Sequence, residues 1–307
     1  MVLFRLLAVA LCLVGWTTKG WAEEKEARFL LGGHATGSAQ APQSIGAYAR
    51  GCLAGGVELP ETGPTWQAMR LSRGRNWGHP ELIEYIKRVS AKVADQTSWK
   101  GIYIGDMNQP RGGPMISGHA SHQSGLDVDM WMLPAKRLNL SKKQRESISS
   151  ISVRSSDQTQ INSNWTPDHL RVMKIAASDK AVDRIFVTPP VKIFLCENVK
   201  GDRRWLQKIR PYWGHHYHFH VRLKCPKGSK FCEKQTPTVS QLSKGGLGCD
   251  KTLEWWVTDA LNPPEPDPNA KKKKKKKKKD PVPKKKHPRQ FTMDDLPAQC
   301  KKVLASK

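Results

Sequence analysis

Residues 118–129 read Gly-His-Ala-Ser-His-Gln-Ser-Gly-Leu-Asp-Val-Asp, and residues 215–221 read His-His-Tyr-His-Phe-His-Val. Residues 126–133 alternate in the manner of a strand, and a second strand begins directly in the histidine-rich stretch. Alternate side chains of a strand share one face, so Asp127 and Asp129 point the same way, as do His218 and His220. Pairing of these strands as antiparallel neighbours would bring the carboxylates and the imidazoles together.

Three of these groups, His122, Asp129 and His220, can converge on one metal ion, because His122 lies in the loop just before the acidic strand. Imidazole nitrogens and carboxylate oxygens suit zinc. Two imidazoles and one carboxylate leave a coordination position open for water, which is typical of a catalytic zinc site. We therefore expect Zn²⁺ as the cofactor of amide hydrolysis by metal-activated water. His218 is assigned to proton transfer beside the metal, with His215 assisting.

The signatures of other hydrolases are missing from the sequence. No HExxH motif is present, which excludes the helix-based metalloprotease site, and no serine lies in a GxSxG turn. The remaining histidines are isolated, and we interpret them as structural or surface residues: His34, His79, His169 and His287.

The rest of the chain predicts short strands with interspersed helices and no regular βαβ alternation. Apolar residues at helical spacing predict a helix over residues 80–96, and Thr166 before Pro167 marks the start of another. Residues 40–61, rich in glycine, alanine and proline, are interpreted as irregular chain. We expect an α+β fold with a small antiparallel sheet, flanked by helices and long loops and stapled by disulfides.

The chain is expected to be exported to the periplasm. Residues 1–22 have a positive start, an apolar run and small residues at the end, which predicts a cleaved signal peptide and a mature chain without a membrane span. Residues 23–262 are assigned to one peptidase domain. Residues 263–307 are assigned to a Pro/Lys-rich low-complexity segment that returns to Cys300.

Charge and cysteines fit this compartment. The formal net charge is +25, and residues 271–279 are nine consecutive lysines. Six of the seven cysteines lie outside the predicted signal peptide, and an even number in an exported chain indicates three disulfides. The spacing leaves fifteen connectivities open, although Cys225 and Cys232 are close enough in the chain to pair locally.

Residues 117–129 resemble the first zinc motif of the penicillin-insensitive murein endopeptidases, zinc peptidases grouped with D-alanyl-D-alanine carboxypeptidases and lysostaphin-type enzymes. Residues 218–222, His-Phe-His-Val-Arg, resemble the HxH motif of that family. The likeness covers most of the chain from about Ala39 to Trp256, together with Cys300.

The resemblance implies roles for individual residues. It implies His122, Asp129 and His220 as zinc ligands, His218 as the catalytic histidine and His215 as a further active-site histidine. His119 matches a position for additional metal binding. Asp157 aligns with another such position, but the histidine that accompanies it in the family is absent, and Thr159 or Gln160 stands near its place. The implied disulfides are Cys52–Cys300, Cys196–Cys249 and Cys225–Cys232.

The function implied by the resemblance is hydrolysis of the D-alanyl–meso-diaminopimelyl crosslinks of peptidoglycan, with the stem peptides as substrate. Two alternatives remain open: a zinc D-Ala-D-Ala carboxypeptidase, and a non-enzymatic binder of anionic envelope polymers. The lysine run could hold the chain near such polymers. Nucleic acid is not expected as a partner, because the chain carries an export signal and no base-stacking pattern.

Overall fold

A computed structural model describes residues 24–265 and 286–307. The strands are β1 (Gln43–Ala47), β2 (Arg50–Ala54), β3 (Val57–Glu58), β4 (Trp66–Ala68), β5 (Trp77–Gly78), β6 (Ile102–Ile104), β7 (Asp127–Trp131), β8 (Val182–Val187), β9 (Ile209–Pro211) and β10 (His218–Leu223). The α-helices are α1 (Ala27–Leu31), α2 (Pro80–Gln96), α3 (Lys142–Ser147), α4 (Pro167–Ser178), α5 (Pro189–Asn198), α6 (Val239–Leu242) and α7 (Gln299–Ala305). Short 3₁₀ helices cover Leu71–Arg73, Arg204–Lys208, Lys251–Val257, Pro288–Gln290 and Met293–Asp295.

The longest helix, α2, has the bounds that its sequence predicts. His79 caps it, since its Nδ1 accepts a hydrogen bond from the backbone N–H of Glu81, and Pro80 occupies the first turn, where its missing N–H costs nothing. The apolar side chains at helical spacing face the core, where α2 packs against α4 and β4. Burial of this stripe attaches the helix to the sheet.

A six-stranded sheet in the order β4-β6-β7-β10-β8-β9 forms the centre of the molecule. The inner pairs β6–β7, β7–β10 and β10–β8 are antiparallel, whereas the outer pairs β4–β6 and β8–β9 are parallel. Helices and long loops surround the sheet, so the α+β architecture expected from the sequence is confirmed. The strands β7 and β10 lie side by side at its middle, which is where the carboxylates and imidazoles were expected to meet.

The expectation of irregular chain over residues 40–61 is wrong. This segment contains the antiparallel hairpin β1–β2 and the short strand β3. Glycines interrupt the alternation of apolar and polar residues that would indicate strands here. They are needed because two backbones approach each other closely. A Cβ on Gly51 would lie 2.2 Å from the carbonyl oxygen of Ile45, and Gly46 has a φ of 72°.

The end of the chain folds back onto this hairpin. Helix α7 packs on β2, and the disulfide Cys52–Cys300 joins the two, across 248 positions of sequence. Arg111 also donates hydrogen bonds to the carbonyl oxygens of Val303, Leu304 and Ser306, at 3.0, 3.0 and 2.6 Å. A cation at the last turn of a helix satisfies carbonyls that lack intrahelical partners.

Two further disulfides, Cys196–Cys249 and Cys225–Cys232, fasten the loops around α5 and after β10. Together with Cys52–Cys300 they are the three pairs that the resemblance implies. Within the described residues, none of the helices has both the length and the apolar character that crossing a membrane requires. The predicted signal peptide and the lysine run, residues 271–279, lie outside the described residues.

Candidate metal centre and active site

The antiparallel register of β7 and β10 builds the floor of the site. His220 lies opposite Asp129, and Arg222 lies opposite Asp127. Because paired residues of neighbouring strands share a face, these four side chains form one compact group of two carboxylates, one guanidinium and one imidazole. All four are buried, so their interactions are only weakly screened by water.

His122 reaches this group from a strained turn. Its φ of 64° is in the left-handed region, which non-glycine residues rarely adopt and which is concentrated at functional sites. Its backbone N–H donates to Asp127 Oδ2 at 3.1 Å, and its ring Nδ1 donates to the carbonyl of Met107 at 2.7 Å. The second ring nitrogen, Nε2, lies 3.4 Å from Asp129 Oδ1.

His220 is oriented in a similar way from the opposite strand. Its Nε2 lies 3.1 Å from Asp127 Oδ1, although the ring is turned out of the linear geometry of a hydrogen bond. Its Nδ1 lies 3.4 Å from Asp129 Oδ1. Burial lowers the pKa of His220 to about 3, against the opposing effect of Asp127, which keeps the ring neutral and able to act as a ligand.

An ion pair between Asp127 and Arg222 lies beside His122 and His220. The guanidinium of Arg222 donates to both oxygens of Asp127, at 2.8 and 3.1 Å. Burial by itself would raise the pKa of Asp127, but Arg222 and His220 outweigh it and hold the pKa well below its ordinary value. Asp127 thus stays ionised, accepts a hydrogen bond from the backbone of His122 and lies beside the ring of His220.

The chemistry of the donor atoms fits a bound metal ion. His122 Nε2 and Asp129 Oδ1 are both buried and have no hydrogen-bond partner among the described residues. A buried acceptor left without a partner costs about 1–3 kcal/mol, and a cation at this point would satisfy both atoms. Ligand imidazoles also commonly donate their other N–H to a carbonyl or face a carboxylate, as His122 and His220 do here.

His119 joins the same cluster. Ligand atoms of His119, His122 and Asp129 lie within 4.8 Å of one another, so His119 is near the first metal position and not apart from it. Its Nε2 is, however, 3.0 Å from Asp106 Oδ2 and 3.5 Å from Asp129 Oδ2. Burial opposes its charged form, but the carboxylates of Asp129 and Asp106 outweigh that effect and raise the pKa of His119.

His218 and His215 complete a row of imidazoles. His218 Nε2 lies 3.5 Å from Asp129 Oδ2, and its ring centre lies 5.2 Å from that of His215. Burial lowers the pKa of His218 and brings that of His215 to about 4. His215 Nδ1 donates to the carbonyl of Trp213 at 2.7 Å, which fixes the ring and leaves its Nε2 as a hydrogen-bond acceptor.

The cluster lies between two cavities that share His119. One, of about 340 Å³, is lined by Asp129, His218, Trp131 and Arg70, among others. The other, of about 440 Å³, is lined by His215, His220, Tyr212 and Arg184, among others. An extended chain therefore has room on both sides of the imidazole row.

Asp157 stands apart from this arrangement. Its carboxylate is exposed and accepts hydrogen bonds from Ser155 and Thr159 within its own loop. In the part of the chain that the structure describes, the one group of three or more such side chains whose ligand atoms all lie within 4.8 Å of one another, and which could hold a metal ion, is His119, His122 and Asp129. The structure thus brings His119 to the site and leaves Asp157 outside it.

Sequence reasoning missed three residues that shape the site: Asp106, Asp127 in its supporting role, and Arg222. A signal existed for two of them. Asp127 precedes Asp129 by two residues and Arg222 follows His220 by two, so strand alternation and antiparallel pairing place opposite charges beside the ligands. Asp106 lies in a loop after β6, and no spacing in the sequence connects it to His119.

Fold and site together define the class: an α+β protein with a candidate mononuclear metal centre of histidines and an aspartate, set between two cavities. Comparison with known proteins shows to which family the chain belongs. The family model described as penicillin-insensitive murein endopeptidase matches residues 44–305. Proteins named penicillin-insensitive murein endopeptidase are similar to this chain over most of their length.

Among them, the protein of Klebsiella pneumoniae subsp. pneumoniae is 41% identical over 225 residues, 73% of this chain and 78% of its own. That of Yersinia pestis bv. Antiqua is 42% identical over 231 residues, 74% and 79% of the two chains. That of Haemophilus influenzae is 37% identical over 222 residues, 72% and 74%. The chain belongs to the penicillin-insensitive murein endopeptidase family.

Proposed function

We propose that this protein is a zinc-dependent murein endopeptidase that hydrolyses the D-alanyl–meso-diaminopimelyl crosslinks of peptidoglycan. The observation that carries the proposal is that nitrogen atoms of His122 and His220 each lie 3.4 Å from the same oxygen of Asp129. Two of these three atoms are buried and have no hydrogen-bond partner among the residues that the structure describes. Membership of the family supports the substrate. The predicted signal peptide over residues 1–22 supports action in the periplasm.

His122 Nε2, His220 Nδ1 and Asp129 would hold the zinc ion. We prefer His220 to His119 as the third ligand because Asp106 already engages the Nε2 of His119 at 3.0 Å. When bound, zinc supplies Lewis acidity, which polarises the scissile carbonyl and lowers the pKa of water. His119 and Asp106 then act by orienting the face of Asp129 that points to the first cavity.

His218 is assigned the proton transfers. It lies beside Asp129 and lines the first cavity, so its ring can take the proton of the attacking water and return it to the leaving amine nitrogen. His215, neutral and fixed by Trp213, lines the second cavity. There it can position the scissile carbonyl group or the attacking water.

Room on both sides of the imidazole row supports cleavage within a crosslink in preference to removal of a terminal residue. The test is digestion of purified crosslinked muropeptides by the full chain, with and without a chelator, read by mass. Chelator-sensitive release of monomers without loss of alanine is the expected result. Loss of one alanine would show a carboxypeptidase, and unchanged dimers would show a non-enzymatic binder.

The assignment of residues 23–262 to the peptidase domain and of 263–307 to a Pro/Lys-rich segment is proposed on composition. The described part of that segment, residues 286–307, contributes Met293, Leu296 and Val303 to a small apolar cluster with α1 and the β1–β2 hairpin. We further propose that the lysine run between these parts holds the enzyme near anionic envelope polymers. Deletion of residues 271–279 should then weaken wall binding at low salt, and unchanged binding would refute this role.

A further inference from the structure

The cavity in front of Asp129 and His218 contains an arginine that forms no ion pair with a carboxylate in the described part of the chain, although its charge acts at longer range on Glu146. Arg70 lines this cavity. Within residues 24–265 and 286–307, no carboxylate forms an ion pair with it, and its side chain makes one long hydrogen bond, from Nη2 to Ser149 Oγ at 3.3 Å. A guanidinium beside a reacting centre and without a carboxylate partner is a ready site for an anionic group.

The other arginines near this wall are already committed. Arg73 donates to both oxygens of Asp106, at 3.1 and 3.0 Å, and Arg75 donates to the same carboxylate at 2.8 Å. Asp106 also engages His119. Among residues 24–265 and 286–307, Arg70 is thus the cation of this cavity that remains available to a ligand.

The backbone delivers Arg70 to the cavity from a strained conformation. Its φ and ψ of 57° and 47° are left-handed, at the point where the chain leaves β4 and enters the 3₁₀ turn Leu71–Arg73. Such conformations persist where the surrounding structure enforces them, and they are concentrated at binding sites. The guanidinium carbon lies 5.9 Å from the centre of the Trp131 ring, which forms an apolar wall of the same cavity.

The substrate of the proposed function carries a matching anion. In a D-alanyl–meso-diaminopimelyl crosslink, the nitrogen of the scissile amide is attached to a carbon that also bears a carboxylate. We propose that Arg70 binds this carboxylate, an inference that rests on the proposed function. The planar fork of an arginine accepts a carboxylate through two parallel N–H···O bonds, which fixes orientation as well as charge.

This contact makes Arg70 a specificity-determining residue. It holds the leaving side of the amide in the first cavity, next to His218, and it selects against peptides in which the neighbouring carboxylate is blocked. A terminal D-Ala–D-Ala has a carboxylate at the same place, so the contact serves either cleavage. The space in the site beyond this contact then decides whether a crosslink or a terminal residue is cleaved.

The experiment compares two crosslinked dimers of stem peptides, one with the free carboxylate and one with that carboxylate converted to a carboxamide. They are assayed with the full chain as wild type, Arg70→Asn and Arg70→Lys. Asparagine is chosen as the neutral variant because it tolerates the left-handed backbone. Arg137→Ala is the matched control, since that exposed arginine lines neither cavity of the site.

On the free-carboxylate dimer, Arg70→Asn should lose about 10- to 100-fold in kcat/KM, mostly through KM, and Arg70→Lys should recover part of the loss. On the carboxamide dimer, the wild type should show a loss of similar size, and Arg70→Asn should add little to it. The Arg137→Ala variant should match the wild type on both dimers.

Equal losses for Arg70→Asn on the two dimers would overturn the contact, because the arginine would then be acting on something other than the carboxylate. Such a result leaves the proposed function intact, since the wild type still cleaves. A wild type that cleaves neither dimer refutes the proposed function itself, and the role of Arg70 falls with it.

Discussion

At the scale of single residues, the alternation of side chains along β7 and β10 places Asp129 and His220 on the same face of the sheet. His220 and Asp129 could be identified from sequence because a period of two and antiparallel pairing place them opposite each other, as the structure shows. The left-handed backbone of His122 and the carbonyl of Met107 that orients its ring could not. Those features depend on how two loops meet, and no local pattern records that.

The first prediction separates the roles of the two histidines of β10. His220→Ala should lose bound zinc together with activity, because it removes a ligand atom. His218→Ala should keep the metal and lose turnover by about 100- to 10,000-fold, because it removes the proton carrier. Metal analysis and dimer cleavage on the same samples provide the measurement. Loss of zinc in His218→Ala with retention in His220→Ala would reverse the assignment.

The second prediction concerns Asp127, which lines neither cavity of the site. Asp127→Asn replaces the carboxylate that pairs with Arg222 by a neutral amide, so the buried guanidinium loses its counter-charge. The substitution also weakens the contacts of residue 127 with His122 and His220. We expect a loss of about 3 kcal/mol in the free energy of unfolding and a 10- to 100-fold weaker affinity for zinc. Urea unfolding and a competitive zinc titration measure the two effects. Wild-type values for both would show that Asp127 is merely a packed strand residue.

At the scale of elements, sequence periodicity predicts a helix or strand that buries one face. It does not predict strands that pair through small residues. Helix α2 follows from its apolar stripe and its cap. The hairpin β1–β2 does not, because its register is maintained by the close approach of glycines such as Gly51. The outer parallel strand β9, of three residues, is likewise too short to show a period.

Helix α5 supplies a prediction about pH. Its Lys192 is buried, and its Nζ donates to the carbonyls of Leu206 and Leu247, at 2.7 and 2.8 Å. Burial lowers the pKa of Lys192 to about 7, with Arg210 adding to the effect. Between this value and the ordinary lysine pKa of about 10.4, the unfolded chain binds more protons than the folded one. Burial of Lys192 therefore does not penalise the folded state above that ordinary pKa. As the pH falls from there to about 7, the same burial lowers the free energy of unfolding progressively.

The free energy of unfolding of the wild type, relative to Lys192→Met, should accordingly rise by about 2 kcal/mol from pH 7 to pH 9. Urea unfolding at the two pH values measures it. Lys180→Met, at an exposed lysine of the same molecule, serves as the control and should show no such rise. A pH-independent difference between wild type and Lys192→Met would mean that the buried amine stays charged.

At the scale of the whole molecule, the disulfide Cys52–Cys300 ties the last helix to the hairpin beside the active-site loops. On the chain-entropy model, a loop of this length is worth about 5 kcal/mol, against about 2 kcal/mol for the seven-position separation of Cys225–Cys232. Paired Cys→Ala variants of the first bridge should therefore lose more stability than those of the second. Urea unfolding gives the ranking, and an equal or reversed order would show that the long loop is already constrained without the bond.

The central claim is that one zinc ion, held by His122, Asp129 and His220, makes the enzyme active. It is tested most directly by stripping the purified full chain of metal and titrating zinc back while following cleavage of crosslinked dimers. Activity should vanish in the stripped protein and return in proportion to zinc, reaching its plateau at one equivalent per chain. Full cleavage by protein that contains no divalent metal would contradict the account.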